Sequence, residues 1–194
     1  MKPYVPTIAA LAIAPGAHAE ISSFYAGIAY ERLNSDAADL DAVVVTGGFD
    51  LNSFLGAEIS AAAGISGDDA HVDAMTDAGG AVITPAVGYD YSLNSRFDLV
   101  GVAKLQLTGR ARLTAKAGLS RYDVETKASY EATGTAPAIV LVNQHDGIGF
   151  IAGIGGEYDI LPGTSVTAAY TYYDEQGVEG GAADGFRLGL KRRF

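Results

Sequence analysis

The chain has no cysteine and no tryptophan. The first absence excludes a disulfide framework and thiolate chemistry, catalytic or metal-binding. The second means that any aromatic girdle at a membrane interface must be drawn from the 11 tyrosines and 7 phenylalanines. Beyond the N-terminal segment no apolar run approaches the ~18 residues read as a spanning helix. Cations are scarce, 13 Lys and Arg against 23 Asp and Glu, so a basic patch for nucleic acid is not available. Histidine occurs only at His18, His71 and His145. What the chain has in quantity is glycine, 25 residues, much of it inside apparent strands rather than between them.

The N-terminus carries one cation, Lys2, then the apolar run Thr7–Ala14, a Pro15-Gly16 break and the small residues of Ala17-His18-Ala19. This order reads as a secretory signal cleaved after Ala19, giving a signal peptide at 1–19 and one domain at 20–194. The apolar run is too short for a membrane anchor, which needs about 20 residues. Leaving out Lys2, the mature chain keeps 12 of the 13 basic residues and all 23 acidic ones, a formal charge of −11.

Period-two alternation recurs in stretches of roughly ten residues, the mark of strands. Phe24, Ala26, Ile28 and Tyr30 share a face opposite Tyr25, Gly27, Ala29 and Glu31. Val43, Val45, Gly47 and Phe49 repeat the pattern. So do Leu55, Ala57, Ile59 and Ala61, with Glu58 opposite. Phe97–Leu107 sets Asp98, Lys104 and Gln106 against its apolar face, and Leu113–Tyr122 sets Lys116 against its own. Ile148–Ile160 places Gly149, Gly153, Gly155 and Glu157 opposite Ile148, Phe150, Ile154 and Tyr158. Ser165–Tyr173 and Asp184–Phe194 complete eight spanning strands. Short connections at Asn52-Ser53, Thr108–Arg110 and Leu161–Gly163 alternate with longer ones at 34–41, 66–96, 124–147 and 174–183. Ala81–Tyr91 reads as a ninth strand followed by a turn at Ser92–Ser95, or as part of a hairpin protruding from the second long loop. Single-chain bacterial barrels take even strand numbers and Pro85 disfavours a fully paired strand, so the protruding hairpin is the expectation.

The last strand places Phe186, Leu188, Leu190 and Phe194 on one face and Arg187, Gly189, Lys191 and Arg193 on the other. It resembles the β-signal that closes bacterial outer-membrane barrels. Arg187, Gly189, Leu190 and Phe194 fit that pattern, while Arg192 stands where an aromatic or apolar residue is usual. Together with Val102-Ala103-Lys104-Leu105, Thr114-Ala115-Lys116-Ala117-Gly118, Gly155-Gly156-Glu157-Tyr158 and Tyr170–Asp174, it makes most of the mature chain resemble the eight-stranded outer-membrane barrels. These include the transmembrane domain of outer-membrane protein A, the opacity proteins and the small "porin family" surface barrels. The resemblance implies an all-β, transmembrane, up-and-down antiparallel barrel with short periplasmic turns and longer extracellular loops, in the outer membrane of a Gram-negative bacterium. It also implies a lumenal ion-pair network, for which Glu58, Lys104, Lys116 and Glu157 occupy fitting positions and Arg187 offers a further partner. The strand at Val166–Tyr170 carries Thr167 and Ala169 where the family brings an inward Arg and Glu. Physics supports the same picture. In hydrocarbon every backbone group needs an internal partner, so sheets must close. Eight strands leave an interior that side chains just fill, and Glu and Lys placed there must pair.

Catalytic, cofactor and metal residues are not expected. Neither His71 nor His145 has the Ser two residues on that a lipid-A-modifying acylase pattern would want. Asp68–Asp77 lacks the calcium-loop order, and the Gly-rich runs are not phosphate loops. The expected role is structural and surface-interacting. Its partners are outer-membrane lipid and lipopolysaccharide, the barrel-assembly machinery through the C-terminal strand, and a host or surface ligand through the acidic loops. A small low-conductance channel is the alternative, and a soluble lipocalin-like barrel is the third reading.

Overall fold

A computed structural model describes residues 23–35, 38–76, 78, 82–130, 137–174 and 181–194; the expected signal at 1–19 lies outside them. The strands are β1 (Ser23–Ser35), β2 (Asp39–Asp50), β3 (Leu55–Ser66), β4 (Asp68–Val72), β5 (Met75–Thr76), β6 (Val82–Thr84), β7 (Val87–Gln106), β8 (Ala111–Tyr130), β9 (Ile139–Leu161), β10 (Thr164–Tyr173) and β11 (Ala183–Arg193). All pairings are antiparallel. Strands β1, β2, β3, β7, β8, β9, β10 and β11 follow one another around a closed barrel, with β3 pairing β7 and β11 returning to β1. Closure runs along β1 from Tyr25 opposite Arg193 to Ser35 opposite Ala183. The Phe194 N–H adds one more bond to the Phe24 carbonyl at 2.9 Å.

The short turns gather at one end and are built by local chemistry. The Asn52 side-chain carbonyl accepts from the N–H groups of Phe54 and Leu55, both at 2.8 Å. Thr108 Oγ1 accepts from the Ala111 N–H at 3.0 Å. Gly163 takes φ 72°, a conformation that residues with a Cβ rarely adopt. These side-chain-capped turns fix hairpin register as Asx and ST turns do.

Outward residues form an apolar band. Ile154, Leu99 and Ile59 are 68%, 63% and 59% exposed, which in water would be a large liability and in hydrocarbon is the required surface. Phe24, Phe54, Tyr158 and Phe194 lie exposed toward the short-turn end, and Tyr30, Phe97, Phe150 and Tyr172 toward the other. Tyrosine and phenylalanine thus supply both girdles in a chain without tryptophan.

At the long-loop end the structure removes one alternative reading of the sequence and corrects the extent of two loops. Ser92–Ser95 is no turn: β7 continues through it with a bulge, because Leu93 faces Val124 while Ser95 faces Asp123. One extra residue, Asn94, switches the face that each neighbour presents. Below it the even positions Arg96 and Asp98 are buried, and above it Tyr91 and Leu93 are. In the regions read as loops at 66–96 and 124–147, the described residues are largely strand. The outer parts of β7, β8 and β9 continue well past the apolar band, and β4 pairs with Val87–Tyr91. Together β4, β7, β8 and β9 form a sheet that stands beyond the barrel. Val87–Tyr91 is therefore one side of a protruding hairpin, with β5 and β6 paired toward its tip.

Candidate functional site

The barrel interior is the most chemically loaded part of the molecule, and period two dictates its contents: one face of each strand meets lipid, the other the lumen. Three zones stack along the axis.

Nearest the short turns lies a cationic layer threaded by carboxylates. Glu157 on β9 pairs with Lys191 and accepts from Arg193 at 2.7 Å and Arg112 at 3.3 Å. Asp159 pairs with Arg112 and accepts from Ser165 Oγ at 2.5 Å. Lys104 pairs with Asp50, which Ser23 Oγ also reaches at 3.2 Å. Glu58 pairs with Lys116 and accepts from Tyr25 Oη at 3.2 Å, and the Lys191 ammonium sits 4.4 Å from the Tyr25 ring centroid.

Above it is a second cluster. Glu31, 0% exposed, pairs with Arg96, accepts from Tyr173 Oη at 2.6 Å and contacts Arg187 at 3.2 Å. Asp98 accepts from Arg96 Nε at 3.1 Å, Ser120 Oγ at 2.6 Å and Ser60 Oγ at 3.0 Å, with Arg187 3.5 Å away. The Arg96 guanidinium lies 4.3 Å from the Tyr173 ring centroid. Between the two layers, where β10 offers only Thr167 and Ala169, a cavity of about 40 Å³ remains, with Lys116, Glu58, Glu157 and Arg187 on its wall. That is little more than room for one or two waters.

The third zone is apolar. Leu33, Leu40, Leu93, Tyr122, Val124 and Tyr173 pack across the lumen with Ala38 and Ala183. They lie between the charged layers and the outer end. Leu93 joins this cap only because the Asn94 bulge turns it inward.

Glycine makes the crowding feasible. A Cβ on Gly48 would stand 2.4 Å from the Tyr25 ring, and one on Gly185 would stand 2.8 Å from Glu31 Oε1 and 2.9 Å from Tyr173. Real Cβ atoms do not approach that closely, so these two positions hold space for the buried polar chains.

Of the residues singled out in the sequence, Glu58, Lys104, Glu157 and Arg187 are buried, and Lys116 reaches Glu58. The partners differ from the expected grouping. Lys104 meets Asp50 rather than Glu58 or Glu157, because its strand places it at the short-turn end beside β2. Glu157 takes Lys191, Arg193 and Arg112, and Arg187 belongs to the separate Glu31–Arg96–Asp98 cluster. Sequence reading missed Arg96 by placing it in a loop, and missed Asp50 and Arg112 because each adjoins a turn. Glu31 and Asp98 were legible as inward positions. Gly189, Leu190 and Phe194 lie on β11 and its end, with Leu190 and Phe194 exposed on the lipid side.

His71 and His145 sit on different strands. His71 is 3.6 Å from Asp73 at the surface, and the His145 ring is 5.9 Å from Tyr122. Among the described residues no group of His, Cys, Asp and Glu is arranged to hold a metal ion.

The model of the outer membrane protein beta-barrel domain matches residues 5–194. The chain belongs to this family of outer-membrane β-barrels. No curated protein matches it. Among solved structures it is similar to a major outer membrane protein from Thermus thermophilus (TM-score 0.57, 13% identity, 89% of this chain and 98% of that one). It is also similar to Neisserial surface protein A (0.53, 14%, 89% and 96%). A third likeness is to Ail, the attachment invasion locus protein of Yersinia pestis (0.52, 13%, 89% and 97%). At these identities the likeness is one of fold.

Proposed function

We propose that this chain is a non-conducting, non-enzymatic barrel of the Gram-negative outer membrane, exported with residues 1–19 as a cleaved signal, that stabilises the envelope and presents a rigid sheet outside it. The observation that carries this reading is the filled lumen. Two ion-pair layers occupy the cross-section, and the apolar cap of Leu33, Leu40, Leu93, Tyr122, Val124 and Tyr173 lies across the outer end. An ion crossing the cap would shed its hydration among apolar side chains, a cost of several kcal/mol or more. The lumenal pairs Glu58–Lys116, Asp50–Lys104 and Glu31–Arg187 then serve as a plug. Arg187, Gly189, Leu190 and Phe194 serve as the recognition strand for assembly, and lipid and lipopolysaccharide surround the apolar band.

Planar-bilayer recording of the refolded protein tests the reading. The expected result is no resolved conductance steps from the native protein, and none from a Leu33→Ala/Leu40→Ala/Leu93→Ala variant, in which the two ion-pair layers below the cap remain. Regular steps from the native protein would instead support the small-channel alternative, for which the mid-lumen cavity is the favouring observation.

A further inference from the structure

The sheet standing beyond the barrel has two unlike edges. The β4 edge is short and carries Asp68 and Asp69, the charged blunting by which proteins discourage edge-to-edge association. The β9 edge has no such protection. β10 pairs with β9 only from Ile151 onward, with one more bond from the Asp174 N–H to the Phe150 carbonyl. From Ile139 to Gly149, β9 therefore has β8 on one side and no strand on the other among the described residues. The outer part of this edge reads Ile139-Val140-Leu141-Val142-Asn143-Gln144, without a charge. Ile139, Val140, Leu141 and Val142 are 51%, 60%, 55% and 58% exposed, so both faces of the strand are open. They do not belong to the lipid band. A polar belt of Arg121, Asp123, Gln144 and Asp146 lies between, with Gln144 Nε2 donating to Asp123 at 3.1 Å.

Resting on the surface-sheet reading above, we propose that this edge is a homotypic adhesion site, at which β9 pairs antiparallel with β9 of a second copy in an opposing membrane. The register follows from the backbone. Because the Phe150 carbonyl points to the β10 side, and β9 runs to Ile139 opposite β8 without a register shift, the N–H and C=O groups of Val142 and Val140 point to that same open side. A two-fold axis at Leu141 sets Val140 opposite Val142 of the other copy in a hydrogen-bonded pair, and Leu141 opposite Leu141 in a non-hydrogen-bonded one. Ile139 then meets Asn143. No carboxylate enters the contact, and the acidic β4 edges lie on the far sides of the joined sheet. Such an interface is isologous, the same patch on both copies. Antiparallel pairing reverses the strand direction, so the second barrel hangs from the facing membrane rather than lying beside the first. A single four-to-six-residue contact is weak, and many copies on two apposed cells would supply avidity.

The cysteine-free chain allows a clean test. Cells carrying Leu141→Cys with one of two tags are mixed and mildly oxidised, after surface display and heat-modifiable migration of each variant have been scored. The Leu141 Cα atoms of a non-hydrogen-bonded pair would lie about 4.5 Å apart, within disulfide range. The expected result is a mixed-tag dimer, lost when Val140→Cys replaces Leu141→Cys. Val142→Pro should abolish clumping of otherwise native cells, because it removes a donor on the open side and leaves the β8 ladder intact. The proposal is overturned if displayed Leu141→Cys chains stay monomeric, as they would if the edge took an extended peptide from another protein. It is also overturned if dimers form only within one tagged population, if Val140→Cys links equally well, or if Val142→Pro cells clump like native ones. Failure here leaves the non-conducting barrel standing, since that reading is decided by conductance.

Discussion

Glu31 is the residue on which the outer charge cluster turns. It is fully buried, and its two oxygens take Arg96, Arg187 at 3.2 Å and Tyr173 Oη at 2.6 Å. Replacing it with Ala leaves two buried guanidinium groups with Asp98 as their shared anion. The Coulomb attraction of the Arg187 pair at that distance is about 5 kcal/mol for an effective dielectric of about 20, and part of it is offset by the desolvation of both ions. Breaking a buried pair by removing one partner costs roughly 3–5 kcal/mol, and the loss for Glu31→Ala should fall in that range. Removing both charges is a different perturbation. In Glu31→Leu/Arg96→Met the remaining Arg187 keeps Asp98 at 3.5 Å, no unpaired charge is left, and most of the stability should return. The assay is urea unfolding of the refolded barrel, with folded fraction read from electrophoretic mobility and circular dichroism, since there is no tryptophan to report. A Glu31→Ala midpoint equal to the native one, or a double variant less stable than the single, would refute the reasoning.

Other expectations follow from the same geometry. Glu58→Ala should destabilise less than Glu31→Ala, because its partner Lys116 is 19% exposed at the side chain and can rehydrate; an equal loss in the same urea assay would count against this. Gly48→Ala should cost about 1–3 kcal/mol through overpacking against Tyr25, checked by its unfolding midpoint beside that of Gly47→Ala, whose Cβ would meet nothing within 4 Å. Deleting Asn94 should turn either Tyr91 and Leu93 or Arg96 and Asp98 from the inner face of β7 to its outer face, visible as lost heat-modifiable migration. Deleting Phe194 should lower the amount of assembled barrel in outer-membrane fractions while leaving the little that assembles as stable as the native protein.

Period-two alternation was enough to place the eight spanning strands, because each has one face in lipid and one in the lumen and a one-residue slip would exchange them. It failed where that constraint changes. At Asn94 the bulge changes parity, so Arg96 looked like loop and Leu93 did not look like interior. Beyond Val124, the last inward residue of β8, both faces of β8 and β9 meet water and alternation carries no information, so the strand ends up to Tyr130 and from Ile139 to Gly147 read as loop. Inward charges were legible by type and face. Their partners were not, because pairing depends on the tilt of the strands, which brings Lys104 beside Asp50 and Arg187 beside Glu31 across sequence separations that no local pattern encodes.

Closure of the sheet by β1 and β11 is the feature from which the filled lumen, the lipid band and the missing barrel edges all follow, and one cross-linking measurement addresses it. Ile28 and Leu190 are directly opposite in that pairing and both face lipid. A hydrogen-bonded antiparallel pair holds its Cα atoms about 5.5 Å apart, which a disulfide can bridge. Ile28→Cys/Leu190→Cys, oxidised in outer-membrane fractions, should give an intramolecular disulfide in nearly all chains. Ile28→Cys/Gly189→Cys, with its two side chains on opposite faces, should give almost none. A closed sheet in this register would be contradicted if the first pair stayed reduced, or if both pairs linked to the same extent.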